Sequence, residues 1–212
     1  MRVALFGASG ATGLLLTQRC LAAGHQVSAL LRTPATFPYR ERIRVVEGSV
    51  FDAKAIRSTL EDADAVLSTL GARSLKQEGV VERAVPLILA GMRETGSRRI
   101  ICLGGASGVP QSLDRQPAPL AWFLRKVLYE GVLKWPSAAQ RAQLAALSGS
   151  GMDWTLLMPP ILTNGQARGS WRVDGDALPA RGMRIARGDV ADFMAQQISS
   201  RDWIGKLVYI AW

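Results

Sequence analysis

Three glycines at intervals of three, Gly7, Gly10 and Gly13, directly follow an apolar run in "RVALFGASGATG", residues 2–13. Glycine at such places permits a tight turn, close approach of a phosphate to the backbone, and close packing of a helix on a strand. A helix opening just beyond the turn offers unpaired N–H groups and the positive end of its dipole, which together suit a diphosphate. Ser9 and Thr12 add hydroxyls where phosphate oxygens would lie; helix capping is their alternative role. The expected ligand is a dinucleotide, because the pattern follows a first strand, opens a helix and begins a strand–helix series.

A second discriminator lies at the end of the next strand, "QVSALLR", residues 26–32. Sites preferring NAD usually present an acid to the ribose 2′-hydroxyl there, whereas NADP sites present an arginine. Arg32 has no carboxylate beside it in the sequence, so a 2′-phosphate and hence NADP(H) is expected. A solvated surface arginine is the alternative. Arg73, in "STLGARS", follows the fourth strand at its carboxyl end, where ligands of open parallel sheets gather. It is expected to contact cofactor phosphate or an anionic substrate.

The elements that must position these groups read in alternation. Strands are expected at 2–6, 26–32, 43–50, 64–71, 98–105, 153–160 and 206–212; helices at 11–23, 52–63, 78–96 (with Pro86 inside), 137–151 and 188–199. Strands separated by helix-length segments imply an α/β fold: a single-domain, Rossmann-like, doubly wound parallel sheet over residues 1–212. "ASGVPQSLDRQPAP" (106–119) reads as a loop. "LAWFLRKVLYEGVLKW" is amphipathic, and a helical insertion or lid is expected near 119–147. A membrane-surface helix, a dimer face and a helix packed on its own domain are the roles open to it. Asp189, at the start of the last helix, is expected to be its N-cap.

Composition narrows the function. Of 212 residues 48% are hydrophobic and 20% charged, which describes a globular chain rather than a disordered one. No apolar stretch reaches about 18 residues without a charge or helix breaker, so no membrane span is expected, and the protein is read as cytoplasmic. The formal charge is +9, from 26 Lys+Arg against 17 Asp+Glu. That field favours anionic partners, but the basic residues are scattered and no aromatic-interleaved motif accompanies them, which argues against nucleic acid. One histidine, His25, rules out multi-histidine metal sites, and no metal is expected. Cys20 and Cys102 are read as reduced core residues.

The chain resembles the atypical short-chain dehydrogenase/reductase-like NAD(P)H-binding proteins, and within them the NADPH-dependent flavin reductase (biliverdin IX beta reductase) group. The resemblance runs almost end to end and rests on "LFGASGATG", "LLR", "EGSV", "LGAR", "SGSGMDWTLLMPP" and "RGDVADFM". It implies that Gly7, Ser9, Gly10, Thr12 and Gly13 hold the diphosphate and Arg32 the 2′-phosphate. Ser49 and Val50 would lie at the adenine, Leu70, Gly71 and Arg73 along the middle of the cofactor, and Gly105 with Met158, Pro159 and Pro160 at the nicotinamide.

The chain departs from the group where polar groups are expected. Ser49 replaces a common aspartate. Gly105 falls where such reductases carry a serine, leaving Ser107, two positions on, as the catalytic candidate. Ile161 replaces a histidine after the double proline. The Tyr-x-x-x-Lys pair of ordinary short-chain dehydrogenases is missing, since Tyr129 is followed four residues on by Leu133. The resemblance therefore implies an NADPH-dependent reductase transferring hydride to a planar acceptor (a flavin, quinone or tetrapyrrole-like molecule) in an apolar pocket lined by Trp122, Ile161 and Met158. A non-catalytic NADPH-binding redox sensor or regulator is the alternative; an epimerase or isomerase is disfavoured by the missing tyrosine. The protein is expected to be a monomer or homodimer.

Overall fold

The protein, described from a computed structural model over residues 1–71, 75–76 and 79–212, is built on a sheet whose central strands are buried on both faces. The first is β1 (Arg2–Phe6), in which Val3 to Phe6 are all buried. Four consecutive apolar residues can lie together in a strand only if both faces are covered, which is the pattern of a parallel sheet between helices. After β1 come α1 (Ala11–Ala22), β2 (Gln26–Leu31), β3 (Arg44–Glu47), α2 (Ala53–Leu60) and β4 (Ala65–Ser68). The chain continues through α3 (Val80–Thr95), β5 (Arg99–Leu103), α4 (Ala118–Phe123), a π-helical stretch Leu124–Val132 and α5 (Lys134–Ser148). It ends with β6 (Asp153–Met158), three short strands β7 (Ile161–Thr163), β8 (Arg172–Asp174) and β9 (Arg184–Ala186), then α6 (Arg187–Gln196) and β10 (Lys206–Ala211).

Among the described residues eight strands form the main sheet in the order β3-β2-β1-β4-β5-β6-β10-β8. All neighbours are parallel except β8, which runs antiparallel along β10. β7 and β9 pair separately, Ile161 opposite Arg184. One face is covered by α1 and α6, through Leu16, Cys20, Phe193 and Met194; the other by α2, α3 and α5, through Ile56, Leu60, Ile88, Met92 and Leu147. The doubly wound α/β sheet expected from the sequence is thus present.

Three local expectations are corrected. The strand–helix alternation is not continuous, because the β2–β3 connection holds only two short 3₁₀ turns, Pro34–Thr36 and Arg40–Arg42. Pro34 and Pro38 break up a segment of helix length there. Phe37, buried and edge-to-face with Tyr39 at 5.9 Å, covers the sheet in place of a helix. The loop expected at 106–119 contains two 3₁₀ turns and passes into α4, so the helical insertion runs from 118 to 148. Asp189 is not an N-cap: Ala186 occupies that position, and Asp189 is wholly buried. No helix among the described residues is long and apolar enough to cross a membrane.

Both thiols are free and fully buried, Cys20 in α1 and Cys102 in β5. Burial pushes each up to about 12 from the ordinary 9.0; at Cys102, the neighbouring Gln143 and Ser68 side chains and the Arg99 charge act in the opposite direction. The unfolded chain releases these protons near pH 9 while the folded chain keeps them, so stability contributed by the thiols falls as pH rises from about 9 to about 12. A C20A/C102A variant should therefore lose less stability than the wild type across that window in denaturant titrations. Parallel slopes would contradict the assignment.

Candidate functional site

The carboxyl ends of the strands meet at a topological switch, where the chain leaves β1 toward β2 on one side and where β4 adjoins it on the other. Ligands of open α/β sheets bind at such places. A cleft of about 980 Å³ opens there, at the upper end of the size range of small-molecule sites.

Its floor is the glycine turn. Gly7 has φ +85°, a left-handed conformation that disfavours side chains, and a Cβ there would fall 2.8 Å from Thr69 Oγ1. A Cβ on Gly13 would fall 2.2 Å from the Gly7 carbonyl oxygen and 2.8 Å from Ala8 Cα. Gly13 therefore lets α1 seat directly on the turn. Gly10 faces no such obstruction in the protein beyond the Gly7 carbonyl at 3.3 Å, and its bare backbone fronts the cleft. Thr69 holds the turn from the β4 side, its hydroxyl donating to Gly7 O at 3.0 Å.

The N-terminus of α1 is open. Gly10 is its N-cap, no side chain caps it, and the N–H groups of Ala11, Thr12 and Gly13 have no acceptor among the described residues. Ser9 and Thr12 line the cleft instead of capping the helix. Such an uncapped turn, with its dipole directed at the cleft, calls for an anion. The donor set thus fits a diphosphate.

Around this floor the structure places Arg32, Ser49, Val50, Leu70, Gly71, Gly105 and Ser107 in the cleft wall. Arg32 is exposed and makes no ion pair with a described carboxylate. Arg73 lies outside the described residues. Met158, Pro159 and Pro160 do not line the cleft. Met158 is fully buried behind it, and the Pro159 carbonyl accepts from Ala106 N–H at 3.0 Å, bracing the segment after β5. Trp122 and Ile161 point to solvent, 64% and 61% exposed. Ile161 opens β7, and strand alternation turns its neighbour Leu162 into the cleft in its stead.

Several cleft residues carry no signal in the sequence reading. Phe51 lines the cleft with the Arg83 guanidinium 4.3 Å from its ring. Leu133, Pro136 and Gln140 bring the end of the π-helical stretch and α5 into one wall. Arg187, the first residue of α6, reaches the cleft and donates to Asn164 Oδ1 at 2.6 Å. The "GGASG" run at 104–108 is the clue to Gln140, since glycines make room for something pressed against them.

Asp189 secures the Arg187 side. Its carboxylate accepts from Arg168 N at 3.0 Å, from Gly169 N at 2.8 Å and from Trp212 Nε1 at 2.7 Å. The Arg168 guanidinium stacks on Trp212 at 3.8 Å. Arg19 of α1 pairs with Asp192 of α6, holding the two helices together with both N-termini at the cleft edge.

A family model described as NAD(P)H-binding matches residues 7–201. Among curated proteins, an uncharacterized protein of Mycobacterium tuberculosis (strain ATCC 25618 / H37Rv) is 32% identical over 102 residues, which is 48% of this chain but only 12% of that protein's length. Among solved structures, one named as a putative exported protein from Burkholderia pseudomallei has a TM-score of 0.82 at 24% identity, covering 100% of both chains. One named as an anaerobillin reductase, ChuY, from Escherichia coli O157:H7 has a TM-score of 0.82 at 18% identity, over 100% of this chain and 97% of that one. A short-chain dehydrogenase/reductase from Veillonella parvula DSM 2008, described in complex with NADP, has a TM-score of 0.78 at 17% identity, covering 100% and 94%. At these identities the structural likenesses establish the fold.

Replacing Asp189 with Ala removes the buried acceptor shared by the Arg168 and Gly169 N–H groups and the Trp212 indole and should cost roughly 2–4 kcal/mol. Urea denaturation measures it; a loss below about 1 kcal/mol would mean the carboxylate is not the staple of this segment.

Proposed function

The chain belongs to the NAD(P)H-binding family, and from that premise we propose that it is an NADPH-dependent reductase delivering hydride to a planar acceptor such as a flavin, a quinone or a tetrapyrrole-like ring. One observation carries the proposal: among the described residues that line the cleft there is no Asp, Glu, His, Lys, Tyr or Cys. A lining whose described residues include no acid or base suits a reaction whose difficult chemistry belongs to the cofactor. It does not suit an epimerase, which must remove and return a proton.

The residues divide by role. The Gly7–Gly13 turn and the open start of α1 hold the diphosphate, and Arg32 the 2′-phosphate. Ser49, Val50 and Phe51 border the adenine, Leu70 and Gly71 the middle, Gly105 and Ser107 the nicotinamide end. When bound, the reduced nicotinamide supplies the hydride. The protein's own contribution is to align the two rings and keep water out, for which Leu133, Pro136 and Leu162 provide an apolar wall in the place expected of Trp122 and Ile161. Ser107, half-buried, can donate a hydrogen bond to an acceptor oxygen or nitrogen. A neighbour described with NADP and one named a reductase support the same reading.

Arg32→Ala should weaken NADPH about 10-fold to 100-fold while changing NADH by less than about 3-fold, as read by calorimetric titration. Equal losses would remove the phosphate assignment. Purified protein should oxidise NADPH, followed by its absorbance, faster with at least one of a flavin, a quinone or biliverdin than without. Tight NADPH binding with no acceptor-dependent oxidation would sink the reductase and favour the redox-sensor alternative.

A further inference from the structure

One buried side-chain oxygen in the cleft wall has no partner among the described residues, Oε1 of Gln140. The residue is 8% exposed on α5 and lines the cleft. Buried polar groups in native proteins nearly always have a partner, so an enclosed, unpartnered oxygen on a side chain of the cleft wall points to the ligand.

The fold goes to some length to put the amide there. A Cβ on Gly108 would fall 2.3 Å from Gln140 Cβ, and one on Gly104 3.0 Å from Gln140 Oε1. The segment after β5 is thus moulded onto this one side chain. A Cβ on Gly104 would also fall 3.0 Å from Leu156 Cδ1 and from Met158 Sδ, so the oxygen shares its place beside Gly104 with apolar side chains. Gln143, one turn further along α5, is 1% exposed, lies beside the Cys102 thiol and does not line the cleft.

Position along the sheet decides what Gln140 meets. Arg32 follows β2, and the segment that packs on Gln140 follows β5, three strand spacings away in the order β2-β1-β4-β5. At about 4.8 Å per spacing the separation is about 14 Å. A dinucleotide with its 2′-phosphate at Arg32 and its diphosphate over β1 therefore brings its nicotinamide end to Gln140. That ring bears one carboxamide, with one NH₂ donor and one oxygen acceptor. Gln140 offers the matching acceptor and donor once its amide turns Oε1 out from beside Gly104, and one of each then faces the other.

We propose, resting on the NADPH reading above, that Gln140 recognises the nicotinamide carboxamide through a reciprocal pair of amide hydrogen bonds. Two bonds to one substituent fix the ring's rotation and so the face it turns to the acceptor. Gln140 is then a positioning residue for hydride delivery.

The test is calorimetric and needs no turnover. Wild type, Gln140→Leu and Gln140→Met are titrated with NADP⁺, with its 3-acetylpyridine analogue, in which a methyl replaces the carboxamide NH₂, and with adenosine 2′,5′-bisphosphate, which lacks the nicotinamide half. Wild type should bind NADP⁺ about 10-fold to 100-fold more tightly than the analogue. Both variants should lose that preference to within about 2-fold while keeping wild-type affinity for the bisphosphate, which also reports that they are folded. Variants that keep the full preference, or that weaken NADP⁺ and the analogue equally, overturn the carboxamide assignment alone. Failure of the wild type to bind the bisphosphate overturns the NADPH reading and this inference with it.

Discussion

The structure depends on how closely α1 approaches the end of β1. With any side chain at position 13 the helix would have to move off the Gly7 carbonyl, and with it would move the open first turn that faces the cleft. Packing and recognition therefore share the same atoms. The left-handed Gly7 beneath, held by the Thr69 hydroxyl, fixes the direction of the turn. From that fixed point the strands β2, β4 and β5 carry Arg32, Leu70 and the 104–108 segment to successive stations along one edge.

The opposing requirements of stability and binding are met by division of labour. Burying apolar side chains such as Phe6, Leu16 and Ile101 stabilises by about 1.5–3 kcal/mol each, and the two faces of the sheet provide many. Against this the protein carries unsatisfied groups around the cleft. An orphaned buried amide costs roughly 1–3 kcal/mol, which a core of this extent absorbs. Where a loop near the site needs rigidity, the fold instead completes its hydrogen bonds, as Asp189 does for Arg168, Gly169 and Trp212.

The parts of the fold that were legible are those with strong local rules. The glycine turn, the continuous apolar strands and most helices announce themselves because sterics and burial act on neighbouring residues. β7, β8 and β9 do not, since three residues hold no period and "ILT", "RVD" and "RIA" pair only because β6, β10 and α6 bring them together. Asp189 reads as a cap from its place in the sequence; its real partners lie 20 and more residues away. The cofactor side of the cleft was visible for the same reason as the turn. The other side was not: Trp122 and Ile161 have suitable chemistry but face outward, while Gln140 is an unremarked polar residue in a helix until the glycines 104 and 108 are seen against it.

The bare first turn of α1 has a practical corollary. Its N–H groups await whatever acceptor is present, and they do not distinguish a coenzyme from a buffer ion. Inorganic phosphate, sulfate or citrate at the concentrations used for purification would occupy the same donors. Affinities measured in such solutions would be those of displacement, so a zwitterionic amine buffer with chloride as the counterion is the medium in which this protein's own preferences can be read.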